Sequence, residues 1–473
     1  MFKKISTLVF FLMSSVAFSQ EIVNSLPIEL NKTSQIFQTV DETKNELTLF
    51  VADKFKTTAI KLDSKMNIVD SLSTEKLDKA QNKIIGNITQ ANKTTLFLAS
   101  TNPKKIVSQS FNFNDRTLVK KTFDLDIKNE VYLEKFSVNN SFIILYLEKN
   151  TNDFRLYVFD SAGNQEVKNI STNELKFYHR SNLYDTFADD FLPFEPAFSL
   201  QKINPESPTS LTDAAKKRKC YYDKNKILIT IDTNPNFTQI ITIDLETYTL
   251  AGKIIKNTPY KSFNTTELNS NSFLMENHLY QIKTSSTKSI LTIKDLEDNL
   301  IKEYEMTANK NIDFKNSAII QQNRSDKSKK TIEETGPFIR KINNLNLGIS
   351  LYKINDTYFT TLGSVSEIRD SGPAVSGIFG VVGVLMYYAL SNPTLENFNA
   401  YTNRKVVYFN SILDKKGNHV KEELKPLAFD KIQSFIMDKK VNSPQTIFKI
   451  NESYYLGYYE NNQKKFNILK FTD

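Results

Sequence analysis

The chain has 473 residues, 40% of them hydrophobic and 12% aromatic, with a formal net charge of +8. That apolar content excludes a disordered chain, and 12 Gly with 13 Pro exclude a collagen-like or low-complexity one. Spread over this length, the charge excess reads as a lysine-rich solvated surface and argues against nucleic-acid binding.

The first residues carry the clearest address. Met1–Lys4 is basic, Ile5–Val16 is largely apolar, and Ala17 and Ser19 are the small residues a signal peptidase reads. The expectation is a signal peptide over 1–19, cleaved before Gln20, and a mature domain of 20–473 that is periplasmic or secreted. The apolar run is too short to span a bilayer comfortably. Cys220 is the only cysteine, which excludes an intrachain disulfide and reads as a buried thiol.

In chain order, the mature sequence is a succession of short apolar strands with turn signals. Glu21–Leu30 is a weak strand. Leu47–Ala52, a turn at Asp53–Lys56 and Thr58–Leu62 form a first unit, closed by Asp63–Asn67. Thr95–Ala99 and Ile106–Phe113 form a second; Phe142–Leu147 and Phe154–Phe159, closed by Asp160–Asn164, a third. Ile227–Ile255 is the fourth. Phe273 to Asn299 makes the fifth, and Leu347–Tyr352, Tyr358–Leu362 and Lys405–Leu413 the sixth, closed by Asp414–Asn418. Thr446–Ile450, Tyr454–Tyr459 and Phe466–Phe471 end the chain. In the Asp-x-x-x-Asn turns at Asp63, Asp160, Asp295 and Asp414 the carboxylate accepts from turn amides. Gly or Asn is expected at the left-handed position. A calcium loop would need denser carboxylates.

Asp63 and Asp160 lie 97 positions apart, two units of about 48, and Asp244 and Asp295 lie 51 apart, one unit. With three or four strands per unit, the chain resembles β-propeller proteins over nearly all of its mature length. The resemblance is one of architecture: the Trp-Asp and Gly-His signatures of WD40 blades and the double glycine of kelch blades are missing, so no activity follows from it. It implies an all-β fold of seven blades with four antiparallel strands each, the N-terminal strand completing the last blade. Counts of six or eight, two β-domains, or a sandwich with an appendage are the competing architectures. Three long insertions, about 172–215, 307–337 and 368–404, fall in connections that emerge on one face of a propeller, and that face is the expected binding surface.

The first insertion mixes aromatics with acids: Tyr184, Asp185, Phe187, Asp189, Phe191 and Glu195 are candidates for a sugar- or cation-binding surface. Against this stands a loop that pins its aromatics onto the core. In the second, Ser325–Lys330 reads as a polar, mobile segment. The third holds an uncharged stretch, Pro373–Leu390, in which Ile378, Phe379, Val381, Leu385, Tyr387 and Tyr388 are candidates for contact with a protein partner. Packing over the propeller mouth and membrane contact are the other readings. His179, His278 and His419 lie in different units, and no zinc, phosphate-loop or nucleophile-elbow motif is present. No cofactor or metal is therefore expected. The reading is a non-catalytic exported propeller that binds an envelope or extracellular protein. The alternatives are a carbohydrate-active enzyme working with loop carboxylates, of which Asp185, Asp189 and Glu195 come first, and a peripheral membrane protein.

Overall fold

The computed structural model describes residues 21–473 except 31–33, 54, 76–82, 91, 100–103, 150, 178–179, 181, 190–191, 193–194, 205, 224, 260–267, 323–328, 367–391, 403–405 and 442. Its strands assemble into seven separate sheets, each built around four or five strands in the order expected of a blade. Blade 1 is Gln35–Asp41, Glu46–Ala52, Lys56–Leu62 and Ile68–Glu75. Blades 2 and 3 repeat the pattern over 83–124 and 130–171, and blade 5 over 269–307. Glu21–Leu26 pairs antiparallel with Lys465–Phe471 and becomes the outer strand of blade 7, as the sequence pattern predicts. The fold is a seven-bladed β-propeller closed by the two ends of the described chain, which removes the free edges an open array would expose.

Apolar clusters lie between successive blades and form the core. Phe50, Phe111 and Leu96 fill the space between blades 1 and 2, and Phe97, Phe142 and Phe159 that between blades 2 and 3. Blades 3 and 4 share a cluster around Leu145, Ile229 and the buried thiol Cys220; blades 4, 5 and 6 share the largest one. With no tryptophan in the chain, stacked and edge-on phenylalanines supply the bulk. The Phe97 and Phe142 rings lie 4.7 Å apart.

The Asp turns fall on one face. Asp160 Oδ1 accepts from Asn164 N at 2.8 Å while its Oδ2 accepts from Asn164 Nδ2 at 2.8 Å, and Asp63, Asp295 and Asp414 repeat this closure. Both carboxylate oxygens thus accept hydrogen bonds within the turn itself. The left-handed residue is the fourth of each turn: Gly163 and Gly417 as expected, but Met66 and Asp298 in the other two. The terminal Asn is not the left-handed residue; it caps the Asp.

From the outer strands of blades 1, 2, 3, 4, 5 and 7, a side chain reaches the corresponding turn of the next blade. Asp70 of blade 1 binds Arg116 (2.7 Å), and Lys121 of blade 2 donates to Gly163 O (2.7 Å). Lys168 of blade 3 sits 4.9 Å over the Tyr248 ring, and Lys253 of blade 4 binds Glu297 (2.6 Å). Tyr304 of blade 5 donates to Gly417 O (2.8 Å), and Asn24 of blade 7 to Met66 O (2.8 Å). Among the described residues the junction from blade 6 to blade 7 has no such contact.

Blade 6 also departs from the expected plan. Its inner strands are Asn346–Ile354, Thr357–Val365 and Val406–Asp414, but its outer strands, Ile319–Gln322 and Lys329–Ile332, come from the second insertion. Lys329 and Lys330, expected in a mobile segment, are therefore paired in a hairpin; 325–328 lie outside the described residues. Among the described residues five helices decorate the ring: α1 (Leu183–Ala188), α2 (Leu211–Ala214), α3 (Thr335–Asn344), α4 (Pro393–Thr402) and α5 (Ala428–Lys439). Helix α5 and α4 fill the junction between blades 6 and 7 through Phe398, Tyr401, Phe429 and Ile432. None of the described helices is long and apolar enough to cross a membrane.

Candidate functional site

Leu211 and Ala215 of the first insertion pack with Val365, Val406 and Tyr408 of blade 6 and with Ile320, which the second insertion supplies as an outer-strand residue of that blade. The first and third insertions enter the axis of the ring. Gln201–Ile203 adds a parallel strand on the axial side of blade 4. Lys202 Nζ reaches Lys135 O on the inner strand of blade 3 (3.4 Å). Glu206 O accepts from Lys449 Nζ and Tyr454 OH of blade 7 (2.8 and 2.9 Å). Asn392 donates to Gln38 of blade 1 and to Ile447 O, and Asn397 to Ser207 Oγ. These contacts bring polypeptide of the first and third insertions against the inner strands of blades 1, 3, 4 and 7.

The acidic loop expected to offer a binding surface is mostly turned inward. Asn182 caps α1, accepting from Asp185 N at 2.7 Å, and the helix drives Leu183 and Phe187 into the cluster between blades 3 and 4. Phe187 is fully buried, and Tyr184 packs on Phe198 with ring centroids 5.2 Å apart. Asp189 is buried and pairs with Arg180 (3.2 Å). Glu195 is buried against Arg218: its Oε2 accepts from Arg218 Nε and Arg218 N at 3.3 Å, and its Oε1 accepts from Lys217 N. Phe187, Asp189 and Glu195 therefore hold the insertion in place and present no surface to a sugar or a cation, because the apolar helix face carries the acids into the fold with it. Tyr184 and Asp185 remain half-buried. Phe191 and all six candidates of the third insertion, Ile378, Phe379, Val381, Leu385, Tyr387 and Tyr388, lie outside the described residues.

Lys216–Lys219, the densest basic run, opens the inner strand of blade 4 and is where the buried charge concentrates. Arg218, wholly buried, also donates to Phe187 O (2.7 Å) and Pro196 O (3.0 Å), clamping the first insertion. Lys219 donates to Asp232 Oδ2 (2.8 Å), Asn271 Oδ1 (2.7 Å) and Lys216 O (2.6 Å). Lys217 bonds Asn269 and Ser270 O of blade 5, and desolvation holds its amine down at about 8. This network is structural: its donors end on the carboxylates of Glu195 and Asp232 and on backbone and amide oxygens, and Asn271 carries it on to Leu347 O of blade 6.

A second axial cluster has a different character, and nothing in the sequence pattern points to it. On the inner strand Glu130–Val138, Tyr132 OH donates to Glu134 Oε1 (3.3 Å), and Lys135 Nζ lies 5.9 Å from the Tyr132 ring centre. Lys202 Nζ stands 3.7 Å from Glu134 Oε1. Glu396 of α4 lies within electrostatic reach of Lys202, Lys135 and Glu134, and desolvation pushes its carboxyl above the ordinary glutamate value. Tyr132 keeps 43% of its surface accessible although desolvation pushes its phenol far up. Among the described residues no group of three metal-ligating side chains occurs.

No protein family and no curated protein matches the chain. Among solved structures, a mutant of the Synechocystis apocarotenoid oxygenase aligns at 8% identity over 57% of this chain and 61% of that one, with a TM-score of 0.28. A prolyl endopeptidase aligns at 7% identity over 91% of this chain and 47% of that one, with a TM-score of 0.34. The chain thus spans about three fifths of the oxygenase and under half of the endopeptidase. At such scores neither likeness carries an argument about activity.

Proposed function

We propose that the protein is an exported, non-catalytic propeller that binds a protein of the cell envelope or extracellular space through its insertion-bearing face. The observation that supports this most is that the first and third insertions contact each other and the inner strands of blades 1, 3 and 7. A propeller enzyme acting on glycans needs paired carboxylates facing a funnel, whereas here Asp189 and Glu195 are committed to Arg180 and Arg218. The uncharged stretch 373–390, which in sequence connects two strands of blade 6, supplies apolar residues of the kind such a partner requires. Export agrees with the fold: Glu21 opens the closing strand of blade 7 just past the expected cleavage point, so removal of 1–19 leaves every described strand intact.

The test is a cross-linked capture from the envelope with the intact protein and a variant lacking 371–391. One defined partner, recovered with the intact protein and lost with the variant, is expected, with purified components then reproducing the complex. Identical recoveries would sink the reading. Mass spectrometry of the mature N-terminus checks cleavage before Gln20.

A further inference from the structure

We infer that the turn Asp53–Lys56 of blade 1 is a docking tip for an anionic lipid surface, with Phe55 entering the headgroup layer. Phe55 is 80% exposed, whereas every other described phenylalanine is buried or half-buried. Elsewhere these rings fill the spaces between blades, so one left in water stands apart from the packing of the chain. The backbone builds this exposure in. Asp53 Oδ1 accepts from Phe55 N (2.7 Å) and Lys56 N (2.9 Å), and Asp53 N donates to Lys56 O (3.0 Å). These bonds close the turn on itself and leave its aromatic residue outside both flanking strands.

Charge and position name the surface. In sequence Lys54 and Lys56 flank the ring, and Lys56 is exposed. The equivalent turns of the two neighbouring blades carry exposed lysines as well, Lys104 and Lys105 in blade 2 and Lys464 and Lys465 in blade 7. Exposed acids at this end, Glu75 and Asp124 among them, stand on the outer strands or on the links that leave them. The turn tips are therefore basic. A bilayer interface takes one aromatic ring without a shaped pocket, and lysine stems lie along it with their charges at the phosphates. A protein pocket asks for apolar neighbours around its anchor, and the adjoining described residues, Asp53 and Lys56, supply none. The tip lies at the insertion-bearing end, because the link between a blade's second and third strands leaves the ring there, as it does in blade 6.

This contact stands apart from the protein partner proposed above, and neither requires the other. Co-sedimentation of the full mature protein with vesicles of phosphatidylcholine and phosphatidylglycerol in equal parts tests it. Binding is expected there, and weaker binding to phosphatidylcholine alone. Phe55→Ser should weaken it about tenfold or more, and Lys56→Ser about fivefold at low salt. Both side chains are exposed, so the variants should melt with the parent. The chain has no tryptophan, so Phe55→Trp introduces a lone indole. Its emission should shift to the blue on vesicle binding and be quenched by brominated acyl chains. No binding to the anionic vesicles overturns the proposal, as does an indole whose emission ignores them. Binding that Phe55→Ser retains and deletion of 371–391 removes would assign the contact to the third insertion and overturn it too. So would loss of partner capture by Phe55→Ser with vesicle binding intact.

Discussion

At the scale of single residues, the most telling contact is the ion pair Arg218–Glu195, both partners almost free of solvent. Removing one partner strands the other charge, so Arg218→Ala should cost about 3–5 kcal/mol, while Arg218→Met with Glu195→Leu should recover much of the loss. Urea unfolding of the three proteins reads this directly. The pair was not legible in the sequence: 23 positions separate its members, and only the folding of α1 brings Glu195 under the strand. The Asp turns were legible, because each is complete within five residues. Their hydrogen bonds hold Asp63, Asp160, Asp244, Asp295 and Asp414 below the ordinary aspartate value of 3.8. Folded values below unfolded ones mean stability that is present above pH 3.8 and lost as pH falls through the folded values. Acid melts of Asp160→Asn should show a shallower decline than the parent. Lys217 acts at the other end of the scale. With its folded value lowered to about 8 from 10.5, the unfolded chain binds more protons between those values, so stability rises with pH from about 8. That rise should vanish in Lys217→Met.

At the scale of elements, helix α5 replaces the side-chain link that the other junctions use. Its Phe429 is fully buried and lies edge-on to Phe398, Tyr401 and Tyr454. Phe429→Ala should cost about 3–5 kcal/mol in chemical unfolding. The helix begins without a capping side chain at Leu427; instead Asp473 Oδ1 accepts from Ala428 N (2.6 Å) and Asp473 Oδ2 from Tyr352 OH (2.7 Å). It ends on Lys440 in the left-handed conformation, so Lys440→Gly should stabilise by about 1 kcal/mol. The helix was readable in principle from Phe429, Ile432, Phe435 and Ile436, which follow a helical period. The hairpin that completes blade 6 was harder to read: its four-residue strands are half polar, and their partner Val406–Asp414 follows some 75 residues later. The axial strand at Gln201 is three residues long and pairs in parallel, a length at which no alternation can show. For that reason the cluster at Tyr132 and Lys202 had no signature in the chain.

At the scale of the whole molecule, the regular strand spacing made the seven-bladed ring legible, since most blades are local in sequence; the sixth takes its outer strands from the second insertion and the seventh its outer strand from the start of the described chain. Glu21 stands opposite Lys470 in that blade, so a short linker from Asp473 to Glu21 would form an ordinary hairpin. A circular permutant joined there and opened between Leu30 and Ser34 should fold and melt close to the parent. Deleting Glu21–Leu26 instead should expose the edge of Lys465–Phe471 and produce self-association, visible by light scattering.

That borrowed strand also imposes an order in time. Glu21–Leu26 leaves the ribosome well before the strand it pairs with is made. Six blades can assemble in between, but the ring cannot shut until Lys465–Phe471 has been made. Through that interval the early segment must wait unpaired, with Ile22 and Val23 open to wrong neighbours. Slow closure and a need for protection during biogenesis are the consequences of a circle whose first piece is held by its last.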